Sequence, residues 1–197
     1  MTNDSVDDTT AALADRRGME TAVYQPAEDS RLLAEAAIEH ARGRALEVGT
    51  GSGWVAERIA TETDADVVAS DYNPAACRQA RDRGVPAVRA NLVEPFRANS
   101  FDTVAFNPPY LPTDPENEWE DWMERALSGG ESGRAVIVPF LDTVGRILRP
   151  DGAVLLLVSS LTGFDAVVDR AERNGFAVST VREESYPFET LSILRLE

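Results

Sequence analysis

An α/β fold built on a mostly parallel sheet is the architecture this sequence predicts. Two observations carry that reading: short apolar strands alternate with amphipathic helical stretches through five strands, and the last two strands are joined only by a loop. The length, 197 residues, suits one domain with a substantial core.

Residues 1 to about 18 are rich in aspartate and threonine and read as a loose acidic tail, which leaves 19–197 as a single folded domain. After Pro26 comes an amphipathic helix carrying Leu32, Leu33, Ala36, Ala37 and Ile38, capped by Asp29 or Ser30 and ended by Gly43. Residues 45–48 form a short buried strand, followed by a glycine turn and a helix over 54–61. Residues 66–70 form the second strand, ending at Asp71, and Pro74 opens a helix that continues to Arg83. Ala87 to Ala90 is a third, short strand, and Phe101 to Phe106 a fourth, stopped by two prolines. A loop of about twenty residues rich in proline, acid and tryptophan follows, a length that in compact domains marks function or mobility. The next helix spans 134–148, kinked or broken at Pro139. Pro150-Asp151-Gly152 then turns into the most apolar strand, 153–159, and a helix over 164–174 ends at Gly175. Residues 176–182 and 191–196 alternate apolar and polar side chains, as an antiparallel pair would.

Nineteen basic residues stand against 34 acidic ones, a net charge of −15, and all nineteen are arginine. Such a lysine-free acidic chain fits a cytoplasm holding molar salt, where the Debye length falls to ~3 Å and surface carboxylates barely repel one another. The alternative is that the acidity marks a basic partner. Net charge therefore does not exclude nucleic acid. The N-terminus has no basic or apolar targeting segment, and the longest apolar run, 153–158, is too short to span a bilayer. The lone Cys77 excludes an internal disulfide and a cysteine-cluster metal site. A cytoplasmic chain with no membrane partner and no metal of its own is expected.

Glu47-Val48-Gly49-Thr50-Gly51-Ser52-Gly53 follows a strand and opens a helix, the place where ligands bind in such sheets. Its glycines let the backbone approach a ligand and adopt positive φ. The G-x-G-x-G spacing departs from the dinucleotide G-x-G-x-x-G and leans toward S-adenosylmethionine, which has no phosphate to seat on a helix terminus. Asp71, twenty residues after Gly51, is placed to accept from ribose hydroxyls, and Asn91-Leu92 lies where an adenine edge can be read.

Asn107-Pro108-Pro109-Tyr110 directly follows the fourth strand, beside the glycine turn. A planar amide or amino nitrogen is a poor nucleophile whose two N–H groups need two coplanar acceptors. The Asn107 side-chain oxygen and the Pro108 carbonyl can supply them, Pro108 and Pro109 stiffen the backbone, and Tyr110 offers a flat face. An activated methyl donor needs no strong base, so orientation and stabilisation of developing positive charge carry the rate.

These motifs, with Tyr24 to Ser30 and Ser128-Gly129-Gly130-Glu131-Ser132-Gly133-Arg134, resemble the HemK/PrmC group of class I methyltransferases, over nearly the whole folded region. The resemblance implies a Rossmann-like, seven-stranded, mostly parallel sheet with an antiparallel last strand and helices on both faces. It implies methylation of the Gly-Gly-Gln glutamine of a peptide chain release factor, with S-adenosylmethionine as cofactor. Ser30, Glu47, Gly49, Gly51, Gly53, Asp71, Asn91, Leu92 and Asn107 would bind that cofactor, and Asn107 to Tyr110 would hold the substrate. Where the family often has aspartate, this chain has Asn91, which alters the strength of the adenine contact. No N-terminal recognition domain is read, as in the shorter archaeal and eukaryotic branch. That branch implies a small zinc-binding activator subunit adding a strand along Ala87–Ala90, hence a heterodimer. The alternatives are a nucleic-acid adenine or cytosine N-methyltransferase, disfavoured by the lack of a target-recognition domain, and a protein lysine methyltransferase. A binding module without catalysis would need one motif broken, and both are intact. His40 reads as a helix-end residue and Cys77 as core. Trp119 and Trp122 either pin the long loop or wall the pocket, and Gly129, Gly130 and Gly133 form a lid or a helix-entry turn on the substrate side.

Overall fold

Apolar side chains at helical and strand spacing build the expected alternation in the computed structural model, which describes residues 23–113 and 122–197. In chain order the elements are α1 (Glu28–His40), β1 (Arg44–Val48), α2 (Trp54–Glu62), β2 (Asp66–Asp71), α3 (Pro74–Asp82), β3 (Ala87–Arg89) and β4 (Phe101–Phe106). Then follow α4 (Trp122–Leu127), α5 (Ile137–Val144), β5 (Leu148–Ser159), a 3₁₀ turn (Ser160–Thr162), α6 (Phe164–Arg173), β6 (Val178–Ser185) and β7 (Thr190–Leu196). The strands form one seven-stranded sheet of order β3-β2-β1-β4-β5-β7-β6. Among the described residues only β7 runs against the others, pairing antiparallel with both β5 and β6.

Alternation along the strands divides the core into two apolar layers, one on each face of the sheet. Ala45, Leu155 and Leu157 point to the layer closed by Leu33 of α1, Ile59 of α2 and Ala80 of α3. Leu46, Val154, Leu156 and Val158 point to the layer closed by Phe140 of α5 and Val167 of α6. Strand order reverses between β1 and β4, whose last residues, Val48 and Phe106, lie side by side. The glycine turn after β1 and Asn107 after β4 therefore emerge as neighbours at this switch point.

Several boundaries differ from the sequence reading. Ala27, not Asp29 or Ser30, is the N-cap of α1 and contributes no side-chain cap; Asp29 and Ser30 sit in the first turn with their side chains engaged elsewhere. The helix stops at Ala41, ahead of Gly43, whose φ of 57° and contact with Asp102 turn the chain into β1. The long loop after β4 contains α4. Helix α5 is shorter than 134–148, and Pro139 falls in its first turn, between the Val138-to-Arg134 and Phe140-to-Val136 backbone bonds. Pro150-Asp151-Gly152 is a bulge inside β5 rather than a turn before it, because pairing with β4 jumps from Phe101↔Leu148 to Thr103↔Ala153. β6 extends to Ser185 past a register shift between Thr180 and Arg182. The acidic tail, 1–18, and Trp119 lie outside the described residues. Among the described residues no helix is long and apolar enough to cross a membrane.

Candidate active site

The glycine turn is bent where the backbone must be. Gly49, Gly51 and Gly53 have φ of 64°, 53° and 83°, a region side-chain-bearing residues rarely enter. A Cβ on Gly49 would stand 3.1 Å from the Phe106 ring, and one on Gly51 would stand 3.0 Å from the Tyr24 carbonyl. Gly49 and Gly51 line a cavity of about 930 Å³ at the carboxyl ends of β1, β2 and β4. Gly53 does not line it: its Cβ would fall 2.5 Å from Ala80 Cα, so it serves close packing of the turn against α3. Its neighbours Ser52 and Trp54 do line the cavity.

Two carboxylates brace this turn from below. Glu47, 3 % exposed, accepts from the Thr50 hydroxyl and from the Ala56 amide at 3.0 Å. Burial pushes its carboxyl up to about 8, against the pull of those bonds. Asp71 at the end of β2 accepts from the Gly51 amide at 2.9 Å and the Asn73 amide at 2.8 Å. Burial raises its carboxyl too, opposed by these backbone donors.

Asn107 projects from the end of β4 onto Asp29 of α1. Its Nδ2 donates to Asp29 Oδ2 at 3.0 Å, and the Tyr24 hydroxyl donates to the same oxygen at 2.8 Å. The other end of the Asn107 amide, Oδ1, is buried with no hydrogen-bond partner, in a residue that lines the cavity. An orphaned buried acceptor is costly, so it marks where a ligand donor belongs. Tyr110 lines the same space, and burial holds its phenol protonated. Its backbone is clamped: Gly133 approaches so closely that a Cβ would meet the Tyr110 carbonyl at 2.6 Å. Leu111 bonds the end of α4 and Gly129, at 3.0 and 2.8 Å. The Ser128–Arg134 glycines thus form a turn that braces the Asn107–Tyr110 segment.

Ser30, Glu47, Gly49, Gly51, Asp71, Asn91, Leu92 and Asn107 to Tyr110 all line the one cavity. Asn91 is exposed and donates to Glu94 at 2.7 Å, and Leu92 takes a φ of 47°. Trp122 is on the wall, its ring 6.0 Å from that of Tyr72. His40 ends α1 away from the cavity, and Cys77 is buried. Asp29 and Tyr24 are lining residues that sequence reasoning did not select as site residues; the signal available was their place in the Tyr24–Ser30 motif. Among the described residues no cluster of histidine, cysteine and carboxylate side chains could hold a metal.

A methyltransferase-domain profile matches residues 46–108, from β1 through Asn107 and Pro108. A putative protein N5-glutamine methyltransferase of Methanocaldococcus jannaschii is 31 % identical over 178 residues, covering 87 % of this chain and 90 % of its own. The chain belongs to the HemK/PrmC family of class I methyltransferases. Another member of the family, methyltransferase HEMK2 of Homo sapiens, is 32 % identical over 91 % of either chain. Among solved structures, a chain of the E. cuniculi Mtq2–Trm112 complex, responsible for methylation of the eRF1 translation termination factor, aligns with a TM-score of 0.75. It shares 30 % identity, over 90 % of this chain and 99 % of that one.

Proposed function

We propose that this methyltransferase transfers a methyl group from S-adenosylmethionine to the side-chain amide nitrogen of the Gly-Gly-Gln glutamine in a peptide chain release factor. The buried, unpartnered Oδ1 of Asn107 is the observation that carries the reading. It is a buried acceptor without a partner, in a residue that lines the cavity beside the glycine turn, and an amide N–H is a donor that would satisfy it.

The cavity suits the cofactor in shape and in chemistry. Gly49 and Gly51 line it with backbone alone, Asp71 offers acceptor oxygens for ribose hydroxyls, and Asn91 and Leu92 would meet the adenine edge in this reading. Ser30 and Glu47 line the amino-acid end in this reading. Bound there, S-adenosylmethionine supplies an electrophilic methyl group on positive sulfur. Asn107 Oδ1 and the Pro108 carbonyl hold the two N–H groups of the substrate amide, so that its nitrogen is oriented rather than deprotonated. Tyr110, neutral, covers the flat face of the amide. Positive charge growing on nitrogen strengthens its bonds to those acceptors, and the surplus proton leaves to water.

Support for the substrate and for an activator subunit comes from the relatives. The strand that would take the partner, β3, is at the sheet edge with Val88 exposed. Pro86 and Ala90 bond inward to β2, which turns Ala87 and Arg89 outward. The Ala87 carbonyl already accepts from the Arg81 guanidinium, at 2.6 Å, so a partner strand would have to displace that group. A small zinc-binding subunit adding a strand there would make the active species a heterodimer in the cytoplasm. The acidic, lysine-free composition belongs in this reading to a protein that works in molar salt.

The test is transfer of labelled methyl in molar potassium chloride to a release factor bearing Gly-Gly-Gln or Gly-Gly-Ala, with and without the small subunit. Label is expected in the glutamine form alone and only when the subunit is present. Asn107→Ala should abolish that transfer and leave cofactor affinity nearly unchanged. Label in both forms, or in neither while cofactor still binds, rejects this substrate.

A further inference from the structure

We infer that Asp29 is a positioning residue that turns the Asn107 amide so that its oxygen, not its nitrogen, meets the substrate; this rests on the reading of Asn107 given above. The two ends of a carboxamide are almost the same shape. Left to itself, the Asn107 side chain could face the cavity with a donor, which would repel a substrate N–H. Ionised, a carboxylate accepts and never donates, so the end of Asn107 that lies against Asp29 must be the NH₂. The reverse orientation would set a carbonyl oxygen against a carboxylate oxygen.

Asp29 is itself held so that it cannot turn away. It is 5 % exposed, in the first turn of α1. Oδ1 accepts from the Ser30 amide at 2.5 Å and from the Ser30 hydroxyl at 3.2 Å. Oδ2 is shared between Asn107 and the Tyr24 hydroxyl. Burial and the neighbouring carboxylate keep that phenol protonated, so it serves as a donor throughout. Tyr24 also ties the assembly to the cofactor turn, because its carbonyl accepts from the Ser52 amide at 3.2 Å. A carboxylate at the N–H end of the amide does more than orient it. It polarises the group and deepens the negative charge on Oδ1, where the reacting nitrogen becomes positive.

Asp29→Asn is the deciding variant, since it is isosteric and can keep one hydrogen bond to Asn107. Were the contact structural only, kcat would hold. Positioning instead predicts that kcat falls roughly 10- to 100-fold, the range seen where a residue orienting a metal ligand is replaced, with KM and cofactor affinity unchanged. The thermal midpoint falls under either reading, because the new NH₂ deprives buried donors of an acceptor. Pairing Asp29→Asn with Asn107→Asp moves the carboxylate across the same hydrogen bond and leaves an acceptor facing the substrate. The double variant should be more active than either single one. Tyr24→Phe, which removes one anchor and keeps the carboxylate, should lower kcat less than Asp29→Asn does. Full kcat in Asp29→Asn, a matching loss of cofactor affinity, or a double variant no better than the singles overturns the inference. An active Asn107→Ala enzyme would instead overturn the reading of the site on which it rests.

Discussion

Glu47 shows how much one buried carboxyl can be asked to hold at the residue scale. It fastens the glycine turn through Thr50 and the start of α2 through Ala56, yet burial raises its carboxyl to about 8. Between the ordinary carboxylate range and that value the folded chain binds a proton that the unfolded chain has released. Its contribution to stability is therefore full below that ordinary range and is lost as pH rises through about 8, an effect of the order of a few kcal/mol. The unfolding midpoint should fall between about pH 5 and about pH 9 more steeply in the natural chain than in Glu47→Gln. Parallel curves would mean that Glu47 is charged in the folded state. Asp29 and Asn107 illustrate the other limit of residue-scale reading. Asn107 was readable from its motif, whereas Asp29 was read only as a possible helix cap, and the bond between them joins positions 78 apart that no local pattern connects.

The glycine turn separates three residues that look alike in sequence. Gly49 and Gly51 make room for the Phe106 ring and the Tyr24 carbonyl, whereas Gly53 makes room for α3. Gly53→Ala should cost roughly 2–4 kcal/mol, because left-handed strain adds to overpacking against Ala80. Gly84 is the matched control: its φ of 84° is nearly that of Gly53 at 83°, but nothing lies within 4 Å of its missing Cβ. Gly84→Ala should therefore cost only the backbone part, about 1–2 kcal/mol. Urea midpoints at fixed salt measure both, and equal losses would refute the packing role. Strands were legible where local chemistry bounded them. Phe101–Phe106 is stopped by two prolines, and the apolar run of β5 leaves no other choice. The bulge at Pro150–Gly152 was not, because a turn and a bulge share the same residue types and only pairing with β4 separates them.

Across the whole molecule, charge decides more than any single pair. Arginines bind the surface together: Arg182 pairs with Glu35 and Glu39, and Arg31 with Glu35 and Glu184, fastening α1 to β6. Each exposed pair contributes about 0–1 kcal/mol and is screened by salt. An excess of fifteen negative charges works the other way, since its repulsion is also screened. Stability is expected to rise with salt, the outcome in which relief of repulsion exceeds the loss of the pairs. A gain of a few kcal/mol would raise the thermal midpoint by roughly 10 °C in a chain of this size between dilute buffer and molar potassium chloride. A flat or falling midpoint would show that the arginine pairs outweigh the net charge and that the composition has another cause.

The sequence by itself determined the alternation of strands and helices, the parallel sheet, and the residue types of the glycine turn and of the Asn107–Tyr110 segment. Those depend on local periodicity and on motifs a few residues long. Only the tertiary structure decided which groups meet. Reversal of strand order between β1 and β4 brings the glycine turn beside Asn107, and α1 carries Asp29 across to the same point. The unpartnered oxygen that defines the site is thus a property of neither segment. It arises where a carboxylate from one fixes an amide from the other, and the physical cause is a hydrogen bond that exists only when the sheet has closed.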